Sequence, residues 1–309
     1  MASIEQAPKG RSLSQDTMFQ RKVQMKYAKN KLFKLTTFGC AIILCLVLLS
    51  IIIFVGKSGL AVFKHVPVFT FFFSKHWEPS TDHYGAAVFI IGTIILTALT
   101  MLLAVPTSIA IAIFTGEVAP NWLRKMIRPM LDVIVGIPSI IFGYLGLTIL
   151  IPFIMRITGS VMGEGLLASS LVLAFMVIPT ITQVSDHAIS SVSTEIREAS
   201  YSLGATRFQT VFRAILPSAK KGILTASILG MARALGETMA VVMVIGNTAQ
   251  LPQSLTTPTA VLTSNIVMQI LEVPFDSTWF DALFMMAFLL IIISTLSIVI
   301  IRRLRAKGV

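Results

Sequence analysis

Charged residues make up only 13% of this 309-residue chain, and no Gly-x-x-x-x-Gly-Lys-Ser/Thr phosphate cradle occurs in it. The first shortage excludes a soluble domain with an ordinary polar surface. The second excludes ATP hydrolysis by the usual nucleotide-binding fold. Cysteine is equally scarce: Cys40 and Cys45 fall in one apolar run, which excludes a disulfide framework or thiolate metal site and leaves two small hydrophobes. No nucleophile, metal or acid/base constellation stands out, and the adjacent Asp186 and His187 read as a solvated pair in a polar stretch. The sequence therefore reads as a non-enzyme. Acidic residues are few, 14 against 25 Lys and Arg. That excess would suggest nucleic acid on a soluble surface, but here the cations cluster at the ends of apolar runs, so the partner they indicate is membrane lipid and not nucleic acid.

What is present is apolar sequence. Hydrophobic residues make up 55% of the chain, the mean hydropathy is +0.85, and the pattern predicts an all-α integral membrane protein with six transmembrane helices. Residues 1–34 form a basic tail, expected to be disordered at its start and cytoplasmic. Residues 35–56 carry no charge and are long enough to span. They follow a long polar tail with no cleavage pattern behind them, and so read as a retained helix. Residues 57–84 form an outer loop whose short run 66–73 is too brief to cross. Further spans are expected at about 85–114, 129–157 (interrupted by the GIPS stretch, 136–139), 165–184, 222–247 and 281–301. Between the last two, the outer loop contains a 259–271 stretch that reads as an amphipathic segment lying at or dipping into the membrane face. Residues 302–309 form an inner tail. This scheme puts twenty Lys and Arg in tails and inner loops, four outside or at outer helix ends, and Arg233 inside a span. Both termini are then cytoplasmic.

The inner loop 185–221 contains the least membrane-like long stretch of the second half, EASYSLGATRFQTVFRAILP at 198–217. Ile196, Ala199 and Leu203 recur at helical spacing up to Gly204, a helix-stop residue. Thr206 stands three before Gln209, a capping-box spacing, and Phe208, Val211, Phe212, Ile215 and Leu216 form an apolar stripe up to Pro217, which should end the helix. Glu195, Arg197, Glu198, Arg207 and Arg213 keep the hairpin out of hydrocarbon, while its stripe needs a protein surface to cover it.

The hairpin resembles the EAA loop of ATP-binding-cassette (ABC) importer permeases, whose pattern is EAA, three residues, Gly, nine residues, then I-x-L-P. Glu198, Ala199, Gly204, Leu216 and Pro217 fit it, whereas Ser200 replaces the third motif residue and Ala214 the isoleucine. The resemblance implies a type I ABC importer permease fold for the core, residues 85–301. It also implies docking in a groove of an ATPase subunit through Glu198, Ala199, Gly204, Thr206, Phe208, Phe212, Leu216 and Pro217.

The other exceptional stretch is MARALGETMAVVMVIGN, 231–247, which puts Arg233 and Glu237 in an apolar helix. A charge there costs on the order of 2.5–3.5 kcal/mol on insertion scales. Their spacing predicts one helix face, where they neutralise each other. Two readings stay open: a buried pair that fixes packing, or a fixed cation where an anion must pass.

RALGET, MAVVMVIGN, GIPSIIFGYLG (136–146) and W-x-P at 77–79 together resemble the phosphate-specific importer family, in particular its PstC-type permease subunits, over most of residues 60–301. The resemblance implies a sister permease (PstA-type), a pair of ATPase subunits (PstB-type) that bind the ATP, no cofactor in this chain, a phosphate-binding protein (PstS-type) outside, and residence in the bacterial cytoplasmic membrane. The alternatives are an importer of another oxyanion, such as sulfate or molybdate, and an ion-coupled secondary carrier. A carrier should show inverted repeats or several intramembrane carboxylates, and neither is visible. The charge asymmetry makes a direct prediction: a topology reporter fused after residue 200 reads cytoplasmic and one near residue 260 reads external. Both reading on the same side would overturn the six-span scheme.

Overall fold

The computed structural model describes residues 13–307, and the chain divides into two compact units, residues 1–54 and 55–309. The first unit carries most of helix α1 (Leu13–Ala61). This helix was expected to begin near residue 35 but already runs at Leu13, because residues 13–34 contain no glycine or proline to stop it. The expected disordered start of the tail, residues 1–12, and the last two residues of the inner tail lie outside the described residues.

In the second unit a short 3₁₀ turn precedes α2 (Val68–Phe73). Strands β1 (Trp77–Glu78) and β2 (His83–Tyr84) pair antiparallel with Trp77 opposite Tyr84. Then come α3 (Ala87–Ile113), prolonged by a π-helical turn, Phe114–Val118, and α4 (Asn121–Gly136). Next are α5 (Ser139–Leu145), a π turn over Gly146–Leu150, α6 (Ile151–Thr158) and α7 (Leu166–Ser190). Helices α8 (Thr194–Ser202) and α9 (Arg207–Thr210) make the hairpin, and a third π turn, Val211–Ile215, leads into α10 (Leu216–Gly236). Helices α11 (Met239–Val244), α12 (Leu262–Gln269) and α13 (Thr278–Lys307) complete the order.

Among the described residues five helical stretches are long and apolar enough to cross a membrane: Lys29–Lys64, Ala87–Val118, Ser139–Thr158, Leu166–Ser190 and Thr278–Arg303. The sixth expected span, 222–247, is broken. Helix α10 stops at Gly236, Glu237 is extended (φ −71°, ψ 126°), and α11 starts two residues later. Hydroxyls take up the carbonyls that the break releases: Thr238 donates to Gly236 O (3.2 Å) and Thr263 to Glu237 O (3.4 Å). Such satisfaction is what irregular backbone at membrane depth requires.

Two further boundaries differ from the sequence reading. Pro129 does not begin a span but sits inside α4, whose Arg124, Lys125, Arg128 and Asp132 make it amphipathic; the interruption falls at Ile137–Pro138, and the apolar crossing starts at Ser139. Pro217 does not end its helix. The preceding residues widen into the π turn, Ser218 Oγ donates to Ala214 O (2.7 Å), and the helix continues to Gly236. A π turn accommodates a missing N–H without breaking the rod.

Helices α3, α7 and α10 pack against one another through small residues, among them Ala104, Ala174, Ala226 and Ala234, which let backbones approach where no hydrophobic effect drives association. Gly143 serves the same end: a Cβ there would stand 2.9 Å from Ala240 Cα. Buried threonines on α3 return their hydroxyl hydrogens to the helix, Thr93 to Phe89 O, Thr97 to Thr93 O and Thr100 to Leu96 O, at 2.7–2.8 Å.

At the start of α3, Phe71, Trp77, Tyr84, Phe89, Leu262 and Met286 share a buried cluster. The stretch 259–271 is not laid flat on the surface of the protein: the first four residues of α12 are buried among its other helices. Gln269 Oε1 accepts from both Trp77 Nε1 (3.1 Å) and Trp279 Nε1 (2.8 Å), joining β1, α12 and α13. Burial, then the bonded Asp82 carboxylate, push the Tyr84 hydroxyl up to about 12, so it stays a donor at neutral pH.

Candidate functional site

The hairpin folds as its residue types dictate. Gly204 has φ +78°, the left-handed conformation a glycine adopts without strain. Thr206 and Gln209 close the capping box: Gln209 N donates to Thr206 Oγ1 (3.3 Å) and Thr206 N to Gln209 Oε1 (2.9 Å). The apolar stripe divides between two surfaces. Val211 and Ile215 are buried with Ala112 of α3, Ile189 of α7 and Ala219 of α10. Phe208 and Phe212 remain exposed, with ring centroids 4.4 Å apart. Leu203 is 89% exposed, an apolar side chain presented at the hairpin tip. Glu198, Ala199 and Pro217 are exposed and Leu216 half-buried. Between the two arms lies a cleft of about 470 Å³, lined by Ile196, Ala199, Leu203, Gly204, Gln209 and Arg213 among others. Ser200, which departs from the motif, bonds across the hairpin to Thr210 (hydroxyl oxygens 2.9 Å apart).

The break in the fifth span holds the second group. Arg233 lies in the last turn of α10, where the exposed carbonyl end of the helix favours a cation. Its Nη1 donates to Thr180 Oγ1 on α7 at 2.8 Å. The expected pairing with Glu237 does not form, because α10 ends before Glu237 and the one-turn geometry is lost. Among the described residues the ion pairs are Arg128–Asp186 and Arg197–Glu117. A guanidinium has five N–H donors, and Thr180 is the one protein partner of Arg233 among the described residues. One turn further along α7, Gln183 donates to Asp132 of α4 at 2.9 Å.

Sequence reasoning missed the charges that tie the hairpin down. Asp186 is not solvated: it is 4% exposed and accepts both Arg128 Nε (2.8 Å) and Nη2 (3.2 Å), while its neighbour His187 is exposed. Glu117, on the π turn after α3, accepts from Arg197 Nη2 at 2.8 Å. Arg124 donates to Thr115 O and Gly116 O at 2.8 and 2.7 Å. The signal available was a glutamate just after a span, which by itself reads as an ordinary boundary charge. No group of three His, Cys, Asp or Glu among the described residues is placed to hold a metal ion.

Comparison with known proteins matches this arrangement. Residues 108–309 fit the family described as binding-protein-dependent transport system inner membrane component. A probable ABC transporter permease protein, YqgH, of Bacillus subtilis (strain 168) is 41% identical over 273 residues, covering 87% of this chain and 88% of the relative. The phosphate transport system permease protein PstC of Haemophilus influenzae is 34% identical, covering 89% and 93%. Its counterpart in Xylella fastidiosa (strain 9a5c) is 36% identical, covering 76% and 78%. Among solved structures, a bacterial ABC transporter involved in the import of the acidic polysaccharide alginate superposes with a TM-score of 0.61 at 14% identity, over 94% of this chain and 99% of that one. The MetNI methionine ABC transporter in an inward-facing conformation gives 0.57 at 20%, over 76% and 100%. At these identities the two structures speak to the fold alone, which is that of a type I ABC importer permease. This multi-pass membrane chain thus belongs to the family of binding-protein-dependent transport system inner membrane components.

Proposed function

We propose that this chain is a permease subunit of an ATP-driven inorganic phosphate importer, forming half of the translocation path. The observation that carries the reading is Arg233, a cation at membrane depth beside a helix break, with most of its donors unpartnered by protein. The identity with PstC permeases across most of the chain supports phosphate as the anion. Both termini and the hairpin face the cytoplasm, and the membrane is the bacterial cytoplasmic membrane.

Arg233 offers its planar fork to two oxygens of the anion, a geometry a lysine does not reproduce. Thr180 holds the guanidinium from one side and leaves the rest free. Glu237, half-buried beyond the break, opposes tight retention of an anion, which conduction requires. A carboxylate there also favours hydrogen phosphate, which brings a proton to donate, over sulfate, which has none at neutral pH. At the inner side Leu203, Phe208 and Phe212 supply the apolar contact of the hairpin with a PstB-type ATPase, framed by Glu198, Ala199, Gly204, Thr206, Leu216 and Pro217. A PstA-type permease completes the path, and a PstS-type protein delivers phosphate from outside.

Variants at two positions test this reading. Arg233→Ala should abolish phosphate uptake with assembly near normal, and Arg233→Lys should rescue it only in part. Arg233→Met, which keeps length and apolar bulk, should not rescue it; wild-type uptake by the Met variant would reduce Arg233 to packing. Gly204→Val forces a β-branched residue to positive φ, at a cost of about 1–3 kcal/mol, and should weaken both ATPase association and uptake. Unchanged co-purification and uptake in that variant would contradict docking through the hairpin.

A further inference from the structure

Both arms of the hairpin are fastened to a single residue of the π turn that ends α3. The carboxylate of Glu117 accepts from Arg197 Nη2 at 2.8 Å, and the main-chain carbonyl of Glu117 accepts from Arg207 Nη2. Arg197 lies on α8, immediately before Glu198, and Arg207 opens α9. The neighbouring carbonyls of the same turn, Thr115 O and Gly116 O, are taken by Arg124 of α4. A helix end concentrates negative partial charge on such carbonyls, and arginine forks satisfy it. Helix α3 runs from this turn along α7 and α10, the helices that carry Thr180 and Arg233.

Other contacts already hold the hairpin in place. Val211 and Ile215 bury its inner face, and Ser200 with Thr210 joins its arms. The Glu117–Arg197 pair is also incompletely made: Arg197 engages the carboxylate through Nη2, its Nε is buried with no acceptor, and Nη2 is shared with Ile189 O at 3.0 Å. A full fork would be bidentate, so the pair has a better geometry open to it after a small shift of α8 against α3. π turns interrupt helices most often where function needs local adjustment.

We propose that Glu117 is the positioning residue through which movement of the hairpin is transmitted to α3 and thence to the path lined by Arg233. This rests on the reading that the hairpin docks on an ATPase. ATP-driven displacement of the docked hairpin pulls on Glu117 through two arginines, one on each arm, so that α3 moves with it instead of the hairpin flexing alone.

The test uses the whole complex, this chain with its sister permease, ATPase and binding protein, reconstituted in proteoliposomes with inorganic phosphate outside. The isosteric variant Glu117→Gln and the charge-removing variant Arg197→Gln are compared with the wild type for complex recovered, ATP hydrolysed and phosphate imported per ATP. Both variants should assemble and hydrolyse ATP, while phosphate per ATP falls about tenfold. A wild-type ratio would overturn the proposal. So would loss of assembly, which makes the pair a folding staple, or a parallel fall of hydrolysis and uptake at constant ratio, which makes it a docking contact. A wild-type complex lacking the ATPase would instead refute the underlying reading of the hairpin.

Discussion

Hydrocarbon offers no water to unpaired polar groups, and much of the irregular backbone and buried polarity of this chain is a response to that constraint. Threonines buried on α3 satisfy themselves on their own helix. The carbonyls released at 236–237 meet the hydroxyls of Thr238 and Thr263. Arg128 and Asp186, Arg197 and Glu117 neutralise each other where α4, α7, α8 and the end of α3 converge. Against that background Arg233, half-buried with Thr180 as its one protein partner among the described residues, is conspicuous.

The same constraint separates the two ends of the molecule. Around Trp77, Gln269 and Trp279 polar groups are few and fully used, giving a rigid cluster that fixes α12 and α13. Around the π turn of α3, several arginines share a few carbonyls and one carboxylate, and one of their nitrogens goes without an acceptor.

Much of the fold was legible because length and charge suffice for a span: α3, α7 and α13 follow from apolar runs bounded by charge. The hairpin was legible at Gly204 and at the capping box, where one residue type fits one backbone conformation. What stayed hidden depended on tertiary partners. The break at Glu237 has no proline to announce it and exists because Thr238 and Thr263 can absorb the freed carbonyls. The four-residue spacing of Arg233 and Glu237 assumed an unbroken helix. Pro217 was read as a stop because a π turn leaves no mark in sequence, and Asp186 was read as solvated because nothing local points to Arg128, a distant partner on α4. Arg233 was visible as a misplaced charge, but its partner, Thr180, was not.

The proposed reading gives the chain a place for an anion at Arg233 and a docking hairpin at 194–217. The most direct measurement is phosphate uptake by vesicles containing this chain after co-expression with a sister permease, an ATPase and a binding protein, with ATP enclosed or omitted. Uptake only with enclosed ATP, and co-elution of the ATPase and the second permease with the solubilised chain, are the predicted results. Phosphate uptake by the chain alone, without ATP and driven by an ion gradient, would contradict it.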